Sequence, residues 1–185
     1  MKPRVPKAFL LGSMITMFAG TLLAQPEFDF MPEGGRQTLL RLASTHTFDL
    51  KAAIARKATE AEWTAEITAE APVLPQEEVE TLASYLAVNM PVTGDAAREA
   101  TTMEELAQAL PPDGKELAIA NCQFCHGFFT GYLAHDRDAE GWRSVFKSPF
   151  HRELPMTPSE RETFARYSAI NMPIPYEKVP EELRF

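Results

Sequence analysis

Cysteine is almost absent from this chain of 185 residues: there are two, and both fall in Cys122-Gln123-Phe124-Cys125-His126. That scarcity excludes a disulfide-dense scaffold and a zinc site built from four thiolates. Histidine is also rare. His46, His135 and His151 are scattered, so no spaced pair is available to complete a mixed zinc site. Basic residues are outnumbered, 18 against 26 acidic ones, giving a formal net charge of −8. An acidic chain is a poor partner for nucleic acid, whose phosphates are held by Lys and Arg. It suits a basic patch on another protein, where opposite charge speeds encounter. Beyond the first 24 residues there is no long apolar run, hence no further candidate membrane span. Alternating strand patterns are lacking as well, so the fold is expected to be all-α.

What the chain does have is Cys122-x-x-Cys125-His126, the attachment signature of c-type haem. On one helical turn, two cysteines at this spacing present both sulfurs to the two vinyl groups of one porphyrin. The adjacent His126 then offers an imidazole to the iron from the proximal side. A plain disulfide and a thioredoxin-like redox pair also use this spacing. The latter belongs in a βαβ setting, of which there is no sign. The expected cofactor is one covalently attached haem c, held by Cys122 and Cys125 with His126 on iron.

Residues 1–24 read as a secretory signal. Lys2, Arg4 and Lys7 precede an apolar stretch from Ala8 to Leu23, and Ala24 closes it near Pro26. Ala24 meets the small-residue rule but Leu22, two before it, does not, so an uncleaved N-terminal anchor is the alternative reading. Either way the rest of the chain is expected outside the cytoplasm, in the periplasm.

The chain also repeats itself. Ser84-Tyr85-Leu86-Ala87-Val88-Asn89-Met90-Pro91-Val92 matches Arg166-Tyr167-Ser168-Ala169-Ile170-Asn171-Met172-Pro173-Ile174, 82 positions on. Trp63 and Trp142 are 79 apart, as are Gly35 and Gly114, so the second copy carries a three-residue insertion after its tryptophan. Leu82, Tyr85 and Val88, like Phe164, Tyr167 and Ile170, recur at helical spacing. Asp113 with Glu116, and Thr157 with Pro158 and Glu160, predict capped helix starts. The expected organisation is a first unit over 33–95, a linker over 96–110 and a second unit over 111–178. In register, Cys122, Cys125 and His126 fall on Ala43, His46 and Thr47, so the first copy has no attachment chemistry. His46 reads as a surface residue, and residues 51–75 are expected to fill that copy's core with side chains.

The segment from Gly114 to Pro173 resembles a class I, monohaem cytochrome c domain. A helix leads into the motif, a tryptophan helix follows, and Met156-Thr157-Pro158-Ser159-Glu160-Arg161-Glu162 with Tyr167 is similar to that family's closing helix. The first copy resembles it only in helix pattern, as a haemless relative. The resemblance implies two tandem cytochrome-like helical domains, only the second carrying haem. It also implies a methionine opposite the histidine, about seven residues after the tryptophan. Pro149 stands there instead. His151 and Met156 are the two candidates for the distal iron ligand. Met156 corresponds to Leu74 in the haemless copy, which points to packing; His151 has no such counterpart. Arg137, Arg143 and Lys147 are candidates to neutralise haem propionates, and Trp142 to bond one. His135 follows His126 too closely to cross to the other face and is expected to be exposed.

The function expected from these readings is single-electron transfer, without substrate chemistry, as the cytochrome subunit of a periplasmic redox enzyme. The haemless copy would serve as a docking platform for the redox partner. The alternative is a haem that binds a small ligand, as sensor or peroxidase-like protein, which requires an open sixth position. A third reading makes the chain chiefly a structural subunit.

Overall fold

A computed structural model describes residues 26–123 and 126–185. The signal segment 1–24 and Cys125 lie outside the described residues. Those that are described are helical with no strand, as the patterning predicts. The helices are α1 (Gly35–Ser44), α2 (Leu50–Ala55), α3 (Glu60–Glu70), α4 (Gln76–Asn89) and α5 (Asp95–Glu99). They continue as α6 (Met103–Ala109), α7 (Gly114–Cys122), α8 (Ala139–Val145), α9 (Pro149–Arg152) and α10 (Pro158–Asn171). A π-helical turn, Phe129–Leu133, stands between α7 and α8. None of the described helices is long and apolar enough to cross a membrane.

Local chemistry places the helix starts. Asp113 and Thr157 cap α7 and α10, each in a reciprocal box with the glutamate at the third helical position. Thr59 and Thr102 do the same for α3 and α6. Such boxes satisfy amide donors that no intrahelical carbonyl can reach.

Two apolar clusters form. The first gathers Leu39, Trp63, Ile67, Leu82 and Leu86 with Leu106 and Leu110. The second gathers Leu117, Tyr132, Trp142 and Phe164 with Phe28 and Met31. Each cluster therefore takes its last two members from the far side of the repeat boundary. The stretch 96–110, expected as a linker, carries α5 and α6, and α6 is what brings Leu106 to the first core. Residues 51–75 fill that core as expected, through Ala53, Ile54, Trp63, Ile67 and Ala71.

The contacts between the copies are reciprocal. Asn89 Nδ2 donates to Thr163 Oγ1 at 2.9 Å, and Asn171 Nδ2 donates to Thr81 Oγ1 at 3.0 Å. These are equivalent residues bonded crosswise where α4 packs on α10. The Tyr85 hydroxyl donates to the Pro111 carbonyl and the Tyr167 hydroxyl to the Pro32 carbonyl, both at 2.8 Å. Gly35 and Gly114 let α1 and α7 lie directly on those tyrosines; a Cβ at either would fall 2.3 or 2.0 Å from the ring-bearing carbon.

One carboxylate serves two helices. Asp113 is fully buried and accepts from the amides of Glu116 at 3.0 Å, Arg36 at 3.2 Å and Gln37 at 3.4 Å. It thus closes the N-terminus of α7 and of α1. Its repeat counterpart is Gly34, and a Cβ on Gly34 would sit 2.0 to 2.2 Å from the Asp113 carboxyl atoms.

His46 is exposed, as expected, and ends α1 in the left-handed region at φ 56°. The amide of His46 bonds the Ala43 carbonyl and that of Thr47 the Leu42 carbonyl, the paired pattern of a Schellman cap. Glycine adopts this conformation without the Cβ clash. His46→Gly is therefore expected to stabilise the protein by about 1 kcal/mol, read as a higher urea midpoint at unchanged slope.

Candidate functional site

The second core is hollow. A cavity of about 390 Å³ opens inside it, within the range of small-molecule and cofactor pockets. Cys122 from the end of α7 lines it, with His126, Trp142 from α8, His151 from α9, Met156 and Phe164. Phe150, 89 % exposed, also lines it, so the cavity reaches the surface there. Cys122, expected to attach the haem, and His126, His151 and Met156, expected as iron ligands or candidates for one, thus meet around one space. Cys125 falls outside the described residues.

His126 is held from two sides. Its Nδ1 lies 3.3 Å from the Gly127 carbonyl. Gly131, in the π-helical turn, sits against the Nδ1–Cε1 edge of the ring: a Cβ there would be 1.8 Å from Nδ1 and 2.0 Å from Cε1. His151 faces it from α9, with the ring centroids 6.3 Å apart and the planes at 79°. The Nδ1 of His151 lies 3.2 Å from the Val145 carbonyl. When each Nδ1 carries the proton it donates to that carbonyl, and each Nε2 is left as a lone-pair donor. This is the way backbone carbonyls orient metal-bound histidines.

Trp142 is buried, and its indole N–H has no hydrogen-bond partner among the described residues. A buried donor left unsatisfied costs about 1–3 kcal/mol, so an acceptor at this edge would be stabilising. The ring meets Tyr132 at 5.3 Å and Phe164 at 5.8 Å between centroids, both edge to face. Tyr132 is fixed in turn by a 3.0 Å hydrogen bond between its hydroxyl and Ser168 Oγ. His135, expected on the surface, is half-buried against the Trp142 ring, with centroids 6.3 Å apart. The guanidinium carbon of Arg137 lies 5.4 Å from that ring's centre. Both line a second cavity, of about 450 Å³, beside His126 and His151.

The three basic candidates separate clearly. Arg143 binds Glu162 with two nitrogens, at 2.5 and 2.8 Å. That contact, with Arg166 beside it, brings the Glu162 carboxyl down to about 2. Lys147 approaches Glu140 at 3.7 Å on the surface. Of the three, only Arg137 turns toward the tryptophan, its guanidinium lying over the ring.

The first copy shows the same frame built solid. Phe48 stands where the second copy has Gly127, and its ring centroid is 6.4 Å from that of Trp63. Arg56 covers Trp63 at 4.2 Å, at the position equivalent to His135. The Trp63 indole N–H is also without a partner among the described residues. Isolated orphan donors therefore say little; what sets the second copy apart is an orphan donor beside a cavity that two imidazoles and a thiol also line. Sequence reasoning missed Gly131 and the placement of His135. A glycine within helical reach of a motif histidine is the signal that would have found the first.

No family model, curated protein or solved structure matches the chain.

Proposed function

We propose that this protein is an exported c-type cytochrome with one haem, held in its second half, and that it passes single electrons as a subunit of a redox enzyme. The supporting observation is the cavity that brings Cys122, His126 and the Trp142 indole together behind the attachment motif. The residues fit the group. The thiols of Cys122 and Cys125 would each add across one vinyl group, and His126, braced by Gly131 and the Gly127 carbonyl, would ligate iron. The Trp142 N–H and Arg137 would meet propionate oxygens at the polar edge. When bound, haem supplies a one-electron couple at iron whose potential is set by ligands and burial. Phe128, Tyr132 and Phe164, all buried, exclude water from the surrounding core.

In this reading the first half is a cytochrome-like domain without haem, its core closed by Phe48 and Ile67. It serves as the platform on which the catalytic subunit docks. Segment 1–24 directs export to the periplasm. The partner would be a redox protein bearing a basic patch, met over a small transient interface.

The test is expression in a cell with working cytochrome c maturation. The denatured chain is expected to keep its colour and to carry the mass of one added haem. Cys122→Ser with Cys125→Ser should abolish both. A colourless wild-type chain would sink the proposal.

A further inference from the structure

We infer that His151 is the second axial ligand to iron, opposite His126. This rests on the haem reading above and adds to it the identity of the distal residue. The sequence left His151 and Met156 side by side, and three independent observations now separate them.

The first is distance. A nitrogen–metal bond is about 2 Å, and a ring nitrogen lies about 1 Å from the imidazole centre. Two imidazoles on one metal therefore have centres about 6 Å apart. His126 and His151 stand at 6.3 Å, and both line the cavity that Cys122 lines.

The second is orientation. Both Nδ1 atoms lie beside backbone carbonyls, those of Gly127 and Val145. Such a bond fixes the tautomer with Nε2 as the donor and raises its basicity.

The third is the element that carries the residue. The second copy exceeds the first by three residues between its tryptophan and its last helix. That is where α9 (Pro149–Arg152) lies, and it is α9 that bears His151. The copy without thiols runs from α3 through Ala71–Pro75 into α4 with no such helix. Met156, by contrast, is buried in the second core at the position Leu74 holds in the first. It does there what a leucine does.

Imidazole on both sides makes the iron easier to oxidise than a histidine–methionine pair, since thioether ligation raises the potential. A partner of low potential is implied on the donating side.

The experiment uses the full mature chain with haem attached. The wild type is expected to be low spin, without the far-red band of methionine-to-iron ligation. His151→Ala should become high spin and bind carbon monoxide when reduced, whereas Met156→Leu should leave the spectrum unchanged. Added imidazole should return His151→Ala to low spin, which separates ligand loss from misfolding. The assignment is overturned by a wild type that is high spin, by a far-red band lost in Met156→Leu, or by His151→Ala remaining low spin. Haem retention after denaturation is read on each sample. A chain with no attached haem overturns the cytochrome reading and this assignment together. Attached haem with unchanged ligation in His151→Ala overturns the assignment alone.

Discussion

A fragment beginning at residue 112 is expected to be unfolded by itself, and to gain cooperative helical structure only when a fragment carrying residues 26–111 is added. The reason is the borrowing between cores. Without its partner the fragment lacks Phe28 and Met31, which are 1 % and 3 % exposed in the second core. Burial of two such side chains is worth about 3–6 kcal/mol. Lys115 Nζ also loses the Met31 carbonyl, and the Tyr167 hydroxyl loses that of Pro32. Each of those bonds contributes about 1 kcal/mol net. A domain's whole stability is about 5–15 kcal/mol, so these terms consume most of it before the exposed face of α10 is counted. Far-ultraviolet circular dichroism of each fragment and of the mixture is the check. A sigmoidal thermal transition in the fragment from residue 112 alone would contradict the expectation.

The second large effect is expected at Asp113. Asp113→Ala should lower stability by about 2–4 kcal/mol, because it uncaps α1 and α7 together and leaves buried amides unsatisfied. For a chain of this size that is a fall of about 10 °C in Tm. The loss should depend on pH. Burial, helped by the Glu116 carboxylate, pushes the Asp113 carboxyl up to about 6, against an ordinary value of 3.8. The folded protein thus binds this proton more tightly than the unfolded chain. The contribution of that proton is fully present below about pH 4 and is lost as pH rises through about 6. Asp113→Ala has no such term, so the gap between wild type and variant should be wider at pH 4.5 than at pH 8. Urea unfolding at both values measures it. A gap that is constant, or wider at pH 8, would refute the account.

Local features were legible in the sequence. The boxes at Asp113 and Thr157 stand where their side chains predicted, and the shared spacing of Trp63 and Trp142 led to equivalent helices. What could not be read was exchange across the boundary. Asn89 and Thr163 are 74 positions apart, and no periodicity links residues so distant. Leu106 and Leu110 were within reach: a spacing of four is a helical signal, hidden by the alanine- and threonine-rich composition around them. At the candidate site, separation along the chain was all that could be read, and it ranks His151 and Met156 as near equals. Only the folded chain shows that the ring of His151 comes within 6.3 Å of that of His126. The insertion was visible as a difference in length; that it forms a helix of its own was not.

The space between Gly34 and Asp113 carries one more consequence. It has room for a single carboxyl group, supplied from one side and accommodated by bare backbone on the other. Two identical subunits meeting there would have to place two aspartates or none: the first crowds two anions into a dry pocket, the second leaves both helices uncapped. Asymmetry at that spot is open only to a covalently fused pair, in which each half is free to differ from its twin. The same licence lets one half keep a hollow and the other fill it.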